Sequence, residues 1–135
     1  MAVETMSPLA EARAHLAGGH EQLERLIEQI LEIRRSDGAQ LRSLWMPFAA
    51  ILAAHLDEED RHMVPALLQV EPREARGLVL EHRHLRTRLA QLDSAFSLAT
   101  LAPFALRAFA EEVLAHHRRE QTLLDRYMNE IEDTG

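Results

Sequence analysis

Apolar residues recur along this chain at steps of three, four and seven, a spacing that predicts amphipathic α-helices rather than strands. The predicted helices begin near Pro8, Ala39, Pro72 and Pro103, with breaks at Ser36-Asp37-Gly38, near Glu71 and over residues 97–102. Ser7 is the expected cap of the first helix. In the second, predicted over residues 39–68, Pro47 and Pro65 each mark a kink or a boundary. Short connections favour antiparallel neighbours, so the expected fold is an all-α, up-down-up-down antiparallel four-helix bundle.

The composition fits a single globular domain over residues 1–135, with its core over about 9–131. The chain has 135 residues, 47% of them hydrophobic and only 4% aromatic, enough for one core of helical character. Its net charge is −7 without a basic stripe, which argues against a nucleic-acid partner. The basic run over residues 83–88 is expected to form a solvated helix face.

Cysteine is absent, which excludes disulfides, thiolate metal sites and iron–sulfur clusters. The segment from Met1 to Pro8 lacks the basic and apolar regions of a signal peptide. No apolar run approaches the roughly 20 residues that span a bilayer. We therefore expect a cytoplasmic protein that does not bind membranes.

Two kinds of polar residue interrupt the apolar faces in a repeated order, His, then His-x-x-x-Glu, then the same again. The residues are His20, His55, Glu59, His82, His116 and Glu120, and the step from lone to paired histidine is 35 residues in the first half and 34 in the second. The chain thus resembles two copies of one helical hairpin. Aligning the halves selects His82 over His84 and His116 over His117; the four remaining histidines, His15, His62, His84 and His117, are expected not to be ligands.

The four selected histidines are predicted to lie at one level of the bundle. Each lies roughly 15 to 22 Å along its helix from the end that meets the other three, given a rise of about 1.5 Å per residue. The step of four in His-x-x-x-Glu places both side chains on one helix face. Six ligand-type side chains therefore converge in the core.

A buried carboxylate costs several kcal/mol unless a positive charge compensates it. No lysine or arginine occupies a matching core position here, and two metal cations would supply the charge. Glu59 and Glu120 could each bridge both ions, with two imidazoles for each ion and at least one place for a small ligand. Mixed imidazole and carboxylate ligation suits iron best, with manganese and zinc as alternatives.

This pattern resembles the hemerythrin-like family, also called the HHE cation-binding domain, over nearly the whole chain. The segments that carry the resemblance are Gly-His20-Glu-Gln-Leu, Ala-His55-Leu-Asp-Glu-Glu59, Glu-His82-Arg-His-Leu and Ala-His116-His-Arg-Arg-Glu120. The resemblance implies a four-helix bundle around two iron ions joined as Fe–O–Fe or Fe–OH–Fe. It also implies reactions with dioxygen, nitric oxide or peroxide.

Two departures bear on function. Oxygen-carrying members have His-x-x-x-His on the third helix and His-x-x-x-x-Asp on the fourth, whereas this chain has Arg86 and Gln121 at those places. The six-residue set is closer to that of the iron-centre repair members, although this chain has no cysteine. Glu24, four residues after His20, is left open as an additional ligand.

Three functions are carried forward. The first is a protein that binds or senses a small diatomic ligand, dioxygen or nitric oxide, or that handles iron and peroxide stress. The second is an enzyme acting on peroxide or nitric oxide, for which the sequence offers only Tyr127 and His62 as remote proton donors and no defined catalytic residue. The third is a metal-free helical interaction protein. A homodimer is left open in each case.

Overall fold

The computed structural model describes residues 7–33 and 37–133, apart from the side chains of 128–133. Its elements are α1 (Pro8–Glu32), α2 (Gly38–Glu58), a π-helical turn (Glu59–Met63), α3 (Val64–Val70), α4 (Pro72–Ser97) and α5 (Pro103–Asp133). The described residues contain no strand, so the all-α prediction is confirmed. Three predictions concern positions outside the described residues: the break at Ser36, the lack of a signal peptide in residues 1–6, and the two ends of the 1–135 domain.

The predicted helix starts are confirmed, and each has a local cause. The Ser7 hydroxyl accepts a hydrogen bond of 3.1 Å from the backbone N–H of Ala10 at the start of α1. The carboxylate of Asp37 accepts one of 3.1 Å from Gln40 at the start of α2. Proline opens α4 and α5, where its fixed φ suits the first turn and its missing N–H leaves no donor unpaired.

The second predicted helix is divided by the π-helical turn. Pro47 lies inside α2 without ending it, whereas Pro65 lies in the first turn of α3. Of the two prolines, Pro65 is therefore the one that marks a helix boundary. A π turn holds one more residue than an α turn and commonly marks a functional site. Here it buries Glu59 and Met63, while His62 remains partly exposed.

Four helical segments, α1, α2 with α3, α4 and α5, pack together around the core. The core consists of two apolar clusters. The first apolar cluster includes Leu23, Ile27, Ile30, Trp45, Phe48, Leu52, Leu85, Leu92, Phe109 and Val113. The second apolar cluster includes Leu9, Leu16, Met63, Leu67, Leu78 and Leu124.

The six predicted ligands lie between these two clusters on every segment. On α1, His20 stands between Leu16 of the second apolar cluster and Leu23 of the first. On α5, the paired residues stand between Val113 of the first cluster and Leu124 of the second. A polar layer thus interrupts an otherwise apolar core.

The helices were also compared with the length and hydropathy that a membrane span requires. None of those in the described part of the chain meets both requirements.

Candidate metal centre

The structure brings all six predicted residues together, and each is at most 8% exposed. They form two groups in which the ligand-type atoms lie within 4.8 Å of one another. One group is His20, His55, Glu59 and Glu120; the other is Glu59, His82, His116 and Glu120. The two carboxylates are therefore common to both groups, and each group has two imidazoles of its own.

The shared carboxylates divide their oxygens between the two groups. Oε1 of Glu59 and Oε1 of Glu120 lie 3.6 and 3.7 Å from Nε2 of His20. On the other side, Oε2 of Glu59 lies 3.0 Å from Nε2 of His82, and Oε2 of Glu120 lies 2.8 Å from Nε2 of His116. His55 Nε2 contacts Oε1 of Glu59. Each carboxylate thus presents one oxygen to each pair of imidazoles, as a carboxylate that bridges two cations must do.

These atoms approach one another without forming hydrogen bonds of acceptable angle. Among the described residues, Nε2 of all four histidines and both oxygens of Glu59 and Glu120 are buried and have no hydrogen-bond partner. Buried polar atoms almost always have partners, because leaving one unpaired costs about 1–3 kcal/mol. Eight such atoms aimed at one small volume fit a pair of metal ions. The residues can therefore hold metal.

Two of the four imidazoles contact carboxylates on neighbouring helical segments through Nδ1, the ring nitrogen that faces away from the centre. Nδ1 of His82 lies 2.6 Å from Oδ1 of Asp60, and Nδ1 of His116 lies 2.7 Å from Oε1 of Glu81. An ionised carboxylate can only accept, so Nδ1 carries a proton, and Nε2 is the nitrogen that would give its lone pair to a metal ion after losing its own proton. These contacts fix the tautomer and the ring orientation that metal binding requires.

Each of these supporting carboxylates is in turn held by an arginine. Arg86 Nη1 lies 2.6 Å from Oδ2 of Asp60, and Arg119 contacts Glu81. Burial raises the pKa of Glu81, but Arg119 and His116 outweigh that effect and hold it below its ordinary value. Arg86 therefore orients His82 through Asp60, while Gln121 is exposed.

His117, which the repeat register excluded, also lies in the polar layer. It is 1% exposed, and one of its ring nitrogens lies within 4.8 Å of the ligand atoms of His20 and His55. Burial lowers the pKa of His117, and so does the neighbouring His20, so the imidazole is neutral and has a free lone pair at pH 7. Sequence reasoning had one available signal: its counterpart in the first half is Leu56, an apolar position that the structure fully buries.

Glu24, which the sequence left open as an additional ligand, belongs to neither of the two buried groups. Its Oε1 lies 3.3 Å from Nε2 of His117, and its side chain is 38% exposed. Glu24 therefore lies beside His117 at the edge of the core. His84, another predicted non-ligand, contacts Glu112 on the surface.

In the absence of metal, protons take the place of cations in the polar layer. Burial by itself lowers the pKa of His82 and of His116, but the carboxylates of Glu120 and Glu59 outweigh it and raise both to about 10. The same carboxylates raise the pKa of His20 to about 9 against the effect of burial. Burial also raises the pKa of Glu59, yet the surrounding imidazoles hold it well below its ordinary value. Metal binding must therefore displace protons.

Comparison with protein-family models finds no match for this chain, and comparisons with curated proteins and with solved structures find none either.

Proposed function

We propose that this chain is a hemerythrin-like protein, an up-down-up-down four-helix bundle that holds two iron ions and binds or senses a small diatomic ligand. The observation that carries the proposal is the pair of shared carboxylates, each with one unpaired oxygen toward either pair of imidazoles. The residues proposed as ligands are His20, His55, Glu59, His82, His116 and Glu120, with His117 as an added donor.

The antiparallel arrangement is supported by the order in which the segments meet the two apolar clusters. Along α1 the chain passes from the second apolar cluster to the first, and along α2 and α3 it passes back. Along α4 it again goes from the second cluster to the first, and along α5 from the first to the second. Alternation of this kind is expected when successive segments run in opposite directions.

The donor count supports a centre with two unlike positions. Glu59 and Glu120 would serve both positions. His20, His55 and His117 would complete one position, giving five protein donors, whereas His82 and His116 would complete the other, giving four. The position with fewer protein donors is the one that we propose for the small ligand. Iron, when bound, supplies an open coordination place and one-electron redox chemistry.

Ligand binding is a better proposal than turnover because the candidate proton donors lie elsewhere. The hydroxyl of Tyr127 donates to Glu71 over 3.2 Å. His62 lies 3.2 Å from Glu58 and belongs to neither buried group. A metal-free interaction protein is disfavoured for another reason, since a purely structural core would place eight unpaired polar atoms in its interior.

Metal analysis with optical spectroscopy tests the proposal. We expect about two irons per chain after purification without chelators, together with charge-transfer bands that change when the reduced protein meets dioxygen or nitric oxide. His55→Ala should lose most of the metal, whereas the matched change His84→Ala, at an exposed histidine paired with Glu112, should lose none. A chain that takes up no iron in the reduced, anaerobic state would refute the centre. Spectra unchanged by either gas would refute the ligand.

A further inference from the structure

A second group of ligand-type residues lies on the surface, outside the buried layer. It consists of His15 on α1, Glu58 at the end of α2 and His62 in the π-helical turn, with ligand atoms within 4.8 Å of one another. Nε2 of His15 lies 2.9 Å from Oε2 of Glu58, and Nε2 of His62 lies 3.2 Å from the same oxygen. Two imidazole nitrogens thus converge on one carboxylate oxygen.

The π-helical turn contributes to this convergence. Glu58 is the last residue of α2, and His62 follows within the wider turn, while adjacent Glu59 points into the core. The rings of His15 and His62 lie side by side, with centroids 4.4 Å apart. Two imidazole nitrogens and one carboxylate oxygen so close together are a ligand set that suits a divalent cation.

A surface cavity lies beside this group and extends to the edge of the buried layer at His55. Its volume is about 330 Å³, and its lining includes His15 and Glu58 at the surface and His55 in the core. The cavity reaches His55 beside Gly19, where an added Cβ would lie 3.2 Å from Nδ1 of the imidazole. The lining thus brings two side chains of the surface group and one buried imidazole to the same cavity.

We propose that His15, Glu58 and His62 form a surface site for a divalent cation, which captures the ion and passes it along this cavity to the buried centre. Capture by the three side chains is independent of the proposed function, whereas delivery rests on it. Arg61 is the competing partner, since its Nη1 lies 3.5 Å from Oε1 of Glu58. That contact uses the other carboxylate oxygen and a side chain that is 68% exposed, so it leaves Oε2 to the cation.

The first experiment measures capture with Co²⁺ added to the full chain after incubation with excess Fe²⁺ under anaerobic conditions, which fills any buried site beforehand. The wild type should bind one further Co²⁺ per chain, seen by equilibrium dialysis and by a change in the cobalt visible spectrum. The double variant His15→Ala, His62→Ala should lose this ion. His84→Ala is the matched control, because it removes an exposed histidine that also contacts a glutamate, and it should retain the ion. Equal Co²⁺ binding by all three proteins would overturn the proposal.

The second experiment measures delivery as the rate at which metal-free protein takes up limiting Fe²⁺ under anaerobic conditions. The double variant should fill severalfold more slowly, because it lacks the two imidazoles that would hold the ion beside the cavity. It should reach the same final iron content as the wild type, since its buried residues are unchanged. Loss of the surface Co²⁺ with an unchanged filling rate would overturn delivery alone. No final iron uptake by any of the proteins would refute the buried centre while leaving the Co²⁺ result intact.

Discussion

The contact between Asp60 and His82 offers a direct test of how the centre is held. Asp60→Ala removes the carboxylate that lies 2.6 Å from Nδ1 of His82, which is fully buried. Without that acceptor, the ring loses both its fixed orientation and the preference for protonation at Nδ1. Removing such a supporting partner typically weakens metal binding by about 10- to 100-fold. This corresponds to about 1.4 to 2.7 kcal/mol of binding free energy.

Asp57→Ala is the matched control, because it removes a second carboxylate from the same arginine. Oδ1 of Asp57 lies 3.0 Å from Nη2 of Arg86, but the Asp57 side chain is 65% exposed and contacts no ligand. We expect this change to alter metal affinity by less than about twofold, as for most exposed ion pairs. Asp60→Asn should fall between the two, since it keeps a hydrogen-bond acceptor and loses the charge.

The assay is anaerobic competition for Fe²⁺ against a chelator of known affinity, with the two binding steps resolved. Asp60→Ala should weaken the step that fills the position at His82 and His116 and spare the step at His20. Thermal unfolding of the metal-free proteins checks that every variant folds. Equal affinities for the Asp60→Ala and Asp57→Ala proteins would refute the idea that Asp60 orients a ligand. A uniform loss over both steps would indicate instead a general change in the core.

Three further outcomes are expected. The metal-free protein should lose stability as the pH rises from about 6.5 to 10, because the pKa values of His82 and His116 are raised from 6.5 to about 10 in the folded chain. Protonation of these histidines stabilises the fold fully below pH 6.5 and no longer does so above about pH 10. Calorimetry should show no such loss in the metal-loaded protein, and equal losses in both forms would contradict this. His117→Leu should change the optical spectrum and weaken one metal-binding step, whereas His84→Leu should do neither; identical spectra would exclude His117 as a ligand. Leu52→Ala, at 1% exposure, should lower the free energy of unfolding of the metal-free protein by about 2–5 kcal/mol, measured by urea denaturation; a loss below about 0.5 kcal/mol would contradict its place in the core.

The helices and the six converging residues could be predicted because their signals are local. Helical spacing alone places His55 with Glu59, and His116 with Glu120, on one face, and the proline and serine starts fix the segments along the chain. The height of each histidine in the bundle then follows from the number of residues between it and the end of its helix. The structure brings these side chains together as expected; their role as ligands, and the direction of each helix, stay predictions.

The supporting residues could not be predicted, because their partners are distant in sequence. Asp60 meets a histidine 22 residues away and Glu81 meets one 35 residues away, so both contacts depend on how two helices cross. The π-helical turn could not be predicted either, because it depends on tertiary packing, in which Glu59 is buried. Alignment of the two halves excludes His117 because its counterpart is Leu56, whereas the structure buries His116 and His117 alike.

The repeat register places Gly19 in the first half where Glu81 stands in the second. Glu81 braces His116 from behind, whereas the corresponding His55 faces a residue without a side chain and an open cavity. The two halves therefore differ in the support that each gives to its paired histidine. We expect the supported position at His116 to retain its ion, and the position at His55 to exchange its ion with solvent despite the extra donor at His117. Such a protein could be isolated half-filled and then completed with a different element, giving a defined mixed-metal pair.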